Sequence, residues 1–139
     1  MIKKILLWLH QLPQHILACI ILSMNNRKDI QISTFDNGKI KVYFVEKGVF
    51  KCGISLGNYI ILHKKYYDRG VLTVKTAKHE YGHSIQSRYF GWFYLIFIGL
   101  PSITNNIISR IYKKDEVWYY NRYPEKWADD LGEVHRWDS

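Results

Sequence analysis

The chain has 139 residues, 47 % of them apolar and 23 % charged, which fits one domain over 1–139 and excludes a disordered or low-complexity protein. That length can bury a core without disulfide staples, and two cysteines, Cys19 and Cys52, make no disulfide framework. The net charge of +8 favours anionic partners, but the basic residues form only short pairs (Lys3–Lys4, Lys64–Lys65, Lys113–Lys114), with no nucleic-acid motif, so a nucleic-acid partner is disfavoured.

The first 24 residues read as an apolar N-terminal segment. Met1 to Leu9 begin like a signal peptide, yet no small-x-small cleavage site follows. Ile5 to Met24 has about the length of a membrane span, but His10, Gln11, Pro13, Gln14 and His15 interrupt it. An interfacial or core-packed helix is the better expectation. Cys19 and Cys52 read as small buried apolar groups in a reducing compartment, which gives a cytoplasmic location, with membrane association as an addition.

The period then changes to two. Ile30 to Phe35 alternates, Asn37-Gly38 is a hairpin turn, and Ile40 to Phe44 alternates again. Glu46-Lys47-Gly48 reads as a second turn, Val49 to Leu56 as a third strand, and Tyr59 to His63 as a fourth after Gly57-Asn58. The expected sheet is an antiparallel meander of three or four strands.

Helical spacing starts at Thr73, a predicted N-cap, with Val74, Ala77, Tyr81 and Ile85 on one apolar face. The helix is expected to end before Gly91. Trp92 to Leu100 is apolar, too short to span a bilayer, and meets Pro101. A helix resumes near Ser102 and runs through Ile111. The last helix starts with Pro124 in its first turn and ends near Gly132. The fold class is α+β.

Chemistry concentrates in His79-Glu80-Tyr81-Gly82-His83. Two histidines four apart share a helix face and can clamp one zinc ion. Glu80, beside the first ligand, can take a proton from a water there. A catalytic zinc needs a third protein donor, and Glu116, Glu125 and Glu133 are the candidate acids. Asp129 lies one turn beyond Glu125 and returns to its face, which favours it over Asp130 as a partner for a ligand imidazole. The metzincin arrangement fails, because Gln86 and Tyr89 stand where it needs Gly and His.

The pair of motifs, His79-Glu80-x-x-His83 and Glu125-x-x-x-Asp129, resembles the gluzincin metallopeptidases. The short single-domain layout is similar to the minigluzincins, a zincin-like fold. The resemblance implies Zn2+ held by His79, His83 and Glu125, with Asp129 fixing an imidazole from behind. It implies peptide hydrolysis with Glu80 as general base, a peptide or protein substrate, and the last strand, Tyr59 to His63, aligning that substrate in extended form. Pro124 departs from the Asn that gluzincins often carry before the ligand Glu. An oxyanion-stabilising side chain is also required, and Tyr119, Tyr120, Tyr123, Arg122 and His135 are equal candidates.

His10, His15 and His63 read as structural or surface histidines rather than ligands. The aromatic group around Tyr89 to Tyr94 reads as core, or as a belt at a membrane surface. Two other functions compete: a catalytically silent, zinc-stabilised binding module, and a protein of anionic membrane surfaces.

Overall fold

The computed structural model describes residues 1–49 and 53–137. The N-terminal segment forms two helices, α1 (Ile2–His10) and α2 (Leu12–Ser23), bent by 76° where one helix was expected. Pro13 explains the break: it lacks an N–H, and its ring would strike the carbonyl of Leu9 in a continuous helix. The polar residues of the elbow turn inward, so Gln11, Gln14 and His15 are buried. His15 Nε2 accepts the Asn58 backbone N–H at 3.2 Å. Cys19 on α2 is exposed and free, not buried as expected, because Ala18 and Ile21 form the inward face instead. Cys52 lies outside the described residues.

Four strands follow: β1 (Gln31–Phe35), β2 (Ile40–Val45), β3 (Gly53–Leu56) and β4 (Tyr59–His63). The β1–β2 hairpin forms as expected, with Asp36, Asn37 and Gly38 all at positive φ in its turn. The meander does not continue. β4 inserts between β2 and β3, parallel to β2 (Val42 opposite Ile60) and antiparallel to β3 (Gly53 opposite Leu62). The sheet is therefore mixed, in the order β1-β2-β4-β3. Burial accounts for the exchange. Ile60, Ile61 and Leu62 are covered on both faces, as suits a central strand, whereas Gly53 and Ile54 of β3 are only half-buried, as suits an edge. The expected third strand began at Val49; its residues 50–52 lie outside the described residues.

Strand alternation divides the core in two. Val45, Leu56 and Ile61 face α2, meeting Ala18 and Ile21. Ile40, Val42, Phe44, Ile60 and Leu62 face the opposite way and meet Ala77 of α3 (Val71–Phe90). The sheet thus lies between α2 and α3 and holds α3 along its length.

Gly70 caps α3, not Thr73. The Thr73 hydroxyl accepts the Arg69 N–H at 2.9 Å and donates to the Tyr66 carbonyl, anchoring the first turn from inside. Of the expected apolar face only Ala77 is fully buried, and Val74 is exposed. The buried side of α3 is mostly polar: His79, Glu80, His83, Ser84, Gln86 and Ser87. A short 3-10 turn (Gly91–Phe93) and a π-turn (Leu95–Gly99) lead into α4 (Leu100–Ile111). Pro101 sits in the first turn of α4, where a missing N–H costs nothing, so the helix starts before Ser102. α5 (Glu116–Tyr120), capped by Asp115, had no strong sequence signal. α6 (Glu125–Gly132) follows a cis Tyr123–Pro124 peptide, with Pro124 as its cap residue rather than in its first turn.

Candidate metal centre

Helices α3 and α6 touch backbone to backbone. A Cβ on Gly82 would lie 1.8 Å from the Ala128 carbonyl oxygen, and one on Gly132 would lie 2.0 Å from that of Lys78. Only glycine permits this approach. It brings the first turn of α6 against the His79–His83 face of α3.

Glu125, fully buried, then points one carboxylate oxygen at both imidazoles. Its Oε2 lies 3.0 Å from His79 Nε2 and 3.1 Å from His83 Nε2. Each ring is held from behind. His79 Nδ1 is 2.7 Å from Asp129 Oδ1, and His83 Nδ1 is 2.7 Å from Gln86 Oε1. Gln86 is oriented by donating its amide to the Pro124 carbonyl at 3.1 Å. Both rear partners are acceptors, so both Nδ1 atoms carry hydrogen. The two Nε2 lone pairs therefore converge on a carboxylate oxygen.

Three acceptors facing one another need a cation between them, either a metal ion or added protons. The ligand atoms of His79, His83 and Glu125 all lie within 4.8 Å of one another, so the group could hold a metal ion. Donors around a tetrahedral ion at the usual bond lengths are about 3.4 Å apart, close to the two spacings found here. Glu125 Oε1 is buried without a hydrogen-bond partner among the described residues, a further sign of a group built for a cation.

Without a metal, protons do the neutralising. Burial alone would lower the His79 pKa, but the hydrogen bonds it donates to Asp129 and Glu125 overcome it and raise it to about 9. Burial alone would raise Glu125, but its bonds to His79 and His83 hold it well below the ordinary carboxylate value. Asp129 is lowered against its burial by His79 and Arg136. The signs predict an unusual pH dependence. The His79 contribution is complete below its ordinary 6.5 and disappears as pH rises through about 9. The Glu125 contribution is present above its ordinary 4.5 and is lost on acidification. Metal-free protein should therefore be most stable near pH 5–6 and lose on the order of 3 kcal/mol by pH 9. Added zinc should invert that alkaline slope, because the metal needs deprotonated ligands. Urea unfolding with chelator and with zinc reads both slopes; a metal-free protein that gains stability toward pH 9 contradicts the charge arrangement.

Glu80 is buried, and burial raises its pKa, with His83 and His79 pulling it back down. Its Oε1 lies 2.7 Å from where a Cβ of Gly53 would stand, so its carboxyl sits against the backbone of edge strand β3. Tyr120 packs edge-on against the His79 ring, with centroids 5.2 Å apart. Tyr119 packs against Tyr120 in turn. Burial pushes both phenols up, so both keep their protons at neutral pH.

The other candidate oxyanion groups, Tyr123, Arg122 and His135, are exposed. The Tyr123 hydroxyl donates to the Phe97 carbonyl, and exposed Arg122 stacks 4.1 Å over Trp118. Exposed His135 lines a surface recess with Gly70, Val74 and Lys78. Glu116, Glu133 and Asp130 are exposed. His63 Nδ1 accepts the Lys65 N–H at 3.1 Å.

Two residues at the centre escaped sequence reasoning. Arg136 donates to both Asp129 oxygens, at 2.5 and 2.9 Å, and lies 3.3 Å over the Tyr120 ring. Nothing in its spacing marks it, because the chain leaves α6 before reaching it. Gln86 carried a signal, being three residues after His83 on the same helix face. No family model, curated protein or solved structure matches this chain.

Proposed function

We propose that this protein is a zinc metallopeptidase of the gluzincin kind. One observation carries the reading: a single Glu125 oxygen meets Nε2 of both helix-borne histidines, with Asp129 behind His79. A zinc ion held by His79, His83 and Glu125 would supply Lewis acidity toward a carbonyl and acidify a water. The remaining work falls to the chain. Glu80, with its pKa raised by burial toward the working range of a base, accepts a proton from the attacking water and returns it to the leaving amine. Tyr120, protonated and stacked beneath Arg136, is the favoured donor to the developing oxyanion. Asp129 is a positioning residue: it holds His79 in the Nδ1–H tautomer and is itself held by Arg136.

The strand that aligns the substrate differs from the sequence expectation. β4 has partners on both sides, so it has no edge to offer. β3 is the edge strand whose Gly53 abuts Glu80. An extended peptide would add to β3, its bond to be cut lying beside Glu80.

Purified protein should carry close to one zinc per chain. Glu80→Gln should keep that zinc and lose cleavage of a quenched fluorescent peptide library by about a hundredfold or more. Absence of zinc in the wild type, or undiminished cleavage by the variant, would falsify the proposal. Burial of His79, His83 and Glu125 favours a second reading, a closed site that only stabilises a binding module. In that case chelation unfolds the protein and no library member is cut.

A further inference from the structure

Exposed apolar side chains gather in two stretches. α1 turns Ile5 and Leu6 to solvent, and the segment from Trp92 through α4 exposes Trp92 and Phe93. On α4, Ile103 and Ile107 lie four apart on one face and are half exposed or more. The two stretches join. The Trp92 indole N–H donates to the Leu9 carbonyl at 2.9 Å, and the His10 ring lies against Gly91. An apolar surface of this extent marks a contact with something else.

Positive charge lies on and around these stretches. Residues 1–28 and 81–114 contain eight Lys and Arg, all exposed, and no Asp or Glu. In the rest of the chain twelve basic residues balance twelve acidic ones. Five of those eight, Lys3, Lys4, Arg110, Lys113 and Lys114, lie on or directly after α1 and α4, the helices that carry much of the apolar surface.

We propose that this surface docks the protein on a bilayer containing anionic lipid, lying on it without crossing it. Acidic headgroups satisfy the unbalanced cations, and the acyl region takes the aliphatic side chains. A nucleic acid would meet only the charge, since phosphates offer nothing to Ile and Leu. Trp8 and Trp92 are placed on the surface as interfacial anchors are. Among the described residues no single helix is long and apolar enough to cross a membrane, and α1 and α2 part at 76°. The inference is independent of the metal and of peptidase activity.

The test is flotation of the full chain with phosphatidylcholine vesicles, with and without phosphatidylglycerol. Binding should require the anionic lipid and weaken about tenfold or more at high salt. The double variant Ile103→Glu, Ile107→Glu should also bind about tenfold or more weakly. Val71→Ser, on the exposed start of α3, should bind like the wild type. Bromine-labelled acyl chains should quench wild-type tryptophan fluorescence, a readout that does not depend on any variant folding. The idea is overturned by protein that stays unbound at low salt or by absent quenching. It is equally overturned by a folded double variant that binds normally, or by a dimer in size exclusion that the variant abolishes, which would make a second copy the occupant.

Discussion

A Gly82→Ala protein should melt about 6 °C below the wild type and fail to retain metal. Two effects compete in this substitution. Alanine is the better helix former by about 1 kcal/mol. Its methyl group, however, would sit 1.8 Å from the Ala128 carbonyl oxygen, which is backbone and cannot rotate away. Relieving that contact requires α3 and α6 to part by roughly 1.5 Å or more. Forced repacking of this kind costs typically 1–3 kcal/mol, and a backbone collision belongs at the upper end, about 3 kcal/mol. Less the helix gain, the net cost is about 2 kcal/mol, which for a chain of this size corresponds to the stated shift in melting temperature. The same displacement exceeds the roughly 0.2 Å tolerance of a metal's ligand distances, so Glu125 would leave the histidines. Gly99→Ala is the control, since a Cβ there meets only ordinary contacts from 3.7 Å outward. Calorimetry and metal content decide the matter; a Gly82→Ala protein with wild-type melting and full metal means that the helices do not meet as described.

Glu125→Gln should lower zinc affinity by about a hundredfold or more while preserving the fold. The substitution keeps the shape of the side chain and removes its charge. Structural zinc sites bind with roughly 10–16 kcal/mol spread over four ligands, so one anionic ligand is worth about 3 kcal/mol. Competition against a chromophoric chelator measures this directly. The variant should also flatten the alkaline loss of stability in the metal-free protein, because Glu125 is one of the two carboxylates hydrogen-bonded to His79 that hold it charged. Unchanged zinc affinity would show that another acid completes the site, with exposed Glu116 and Glu133 the remaining candidates in that quarter of the chain.

The candidate centre was legible where its chemistry is local. His79 and His83 are joined by the pitch of one helix, and Glu125 and Asp129 by the pitch of another, so spacing alone puts each pair on one face. The hairpin at Asn37-Gly38 was legible for the same reason, since its turn is set by the conformational freedom of adjacent residues. The apolar face assigned to α3 was not the buried one. A helix that buries His79, Glu80 and Gln86 for its chemistry breaks the hydropathy pattern that would reveal its inner side.

Each short segment carried its own content: two helix turns of candidate metal ligands, one hairpin, an apolar beginning and a basic surplus. Tertiary structure alone decided which segments meet. β4 displaced β3 from the side of β2 because three consecutive buried side chains need cover on both faces, a requirement of the whole sheet. Arg136 reached Asp129 because the chain turns back after α6 through Glu133 in a left-handed conformation. Gly82 and Gly132 let two helices touch, and the three candidate ligands meet only because they do. Periodicity describes a residue's neighbours along its own element; the distance between elements is set by packing, which no single segment encodes.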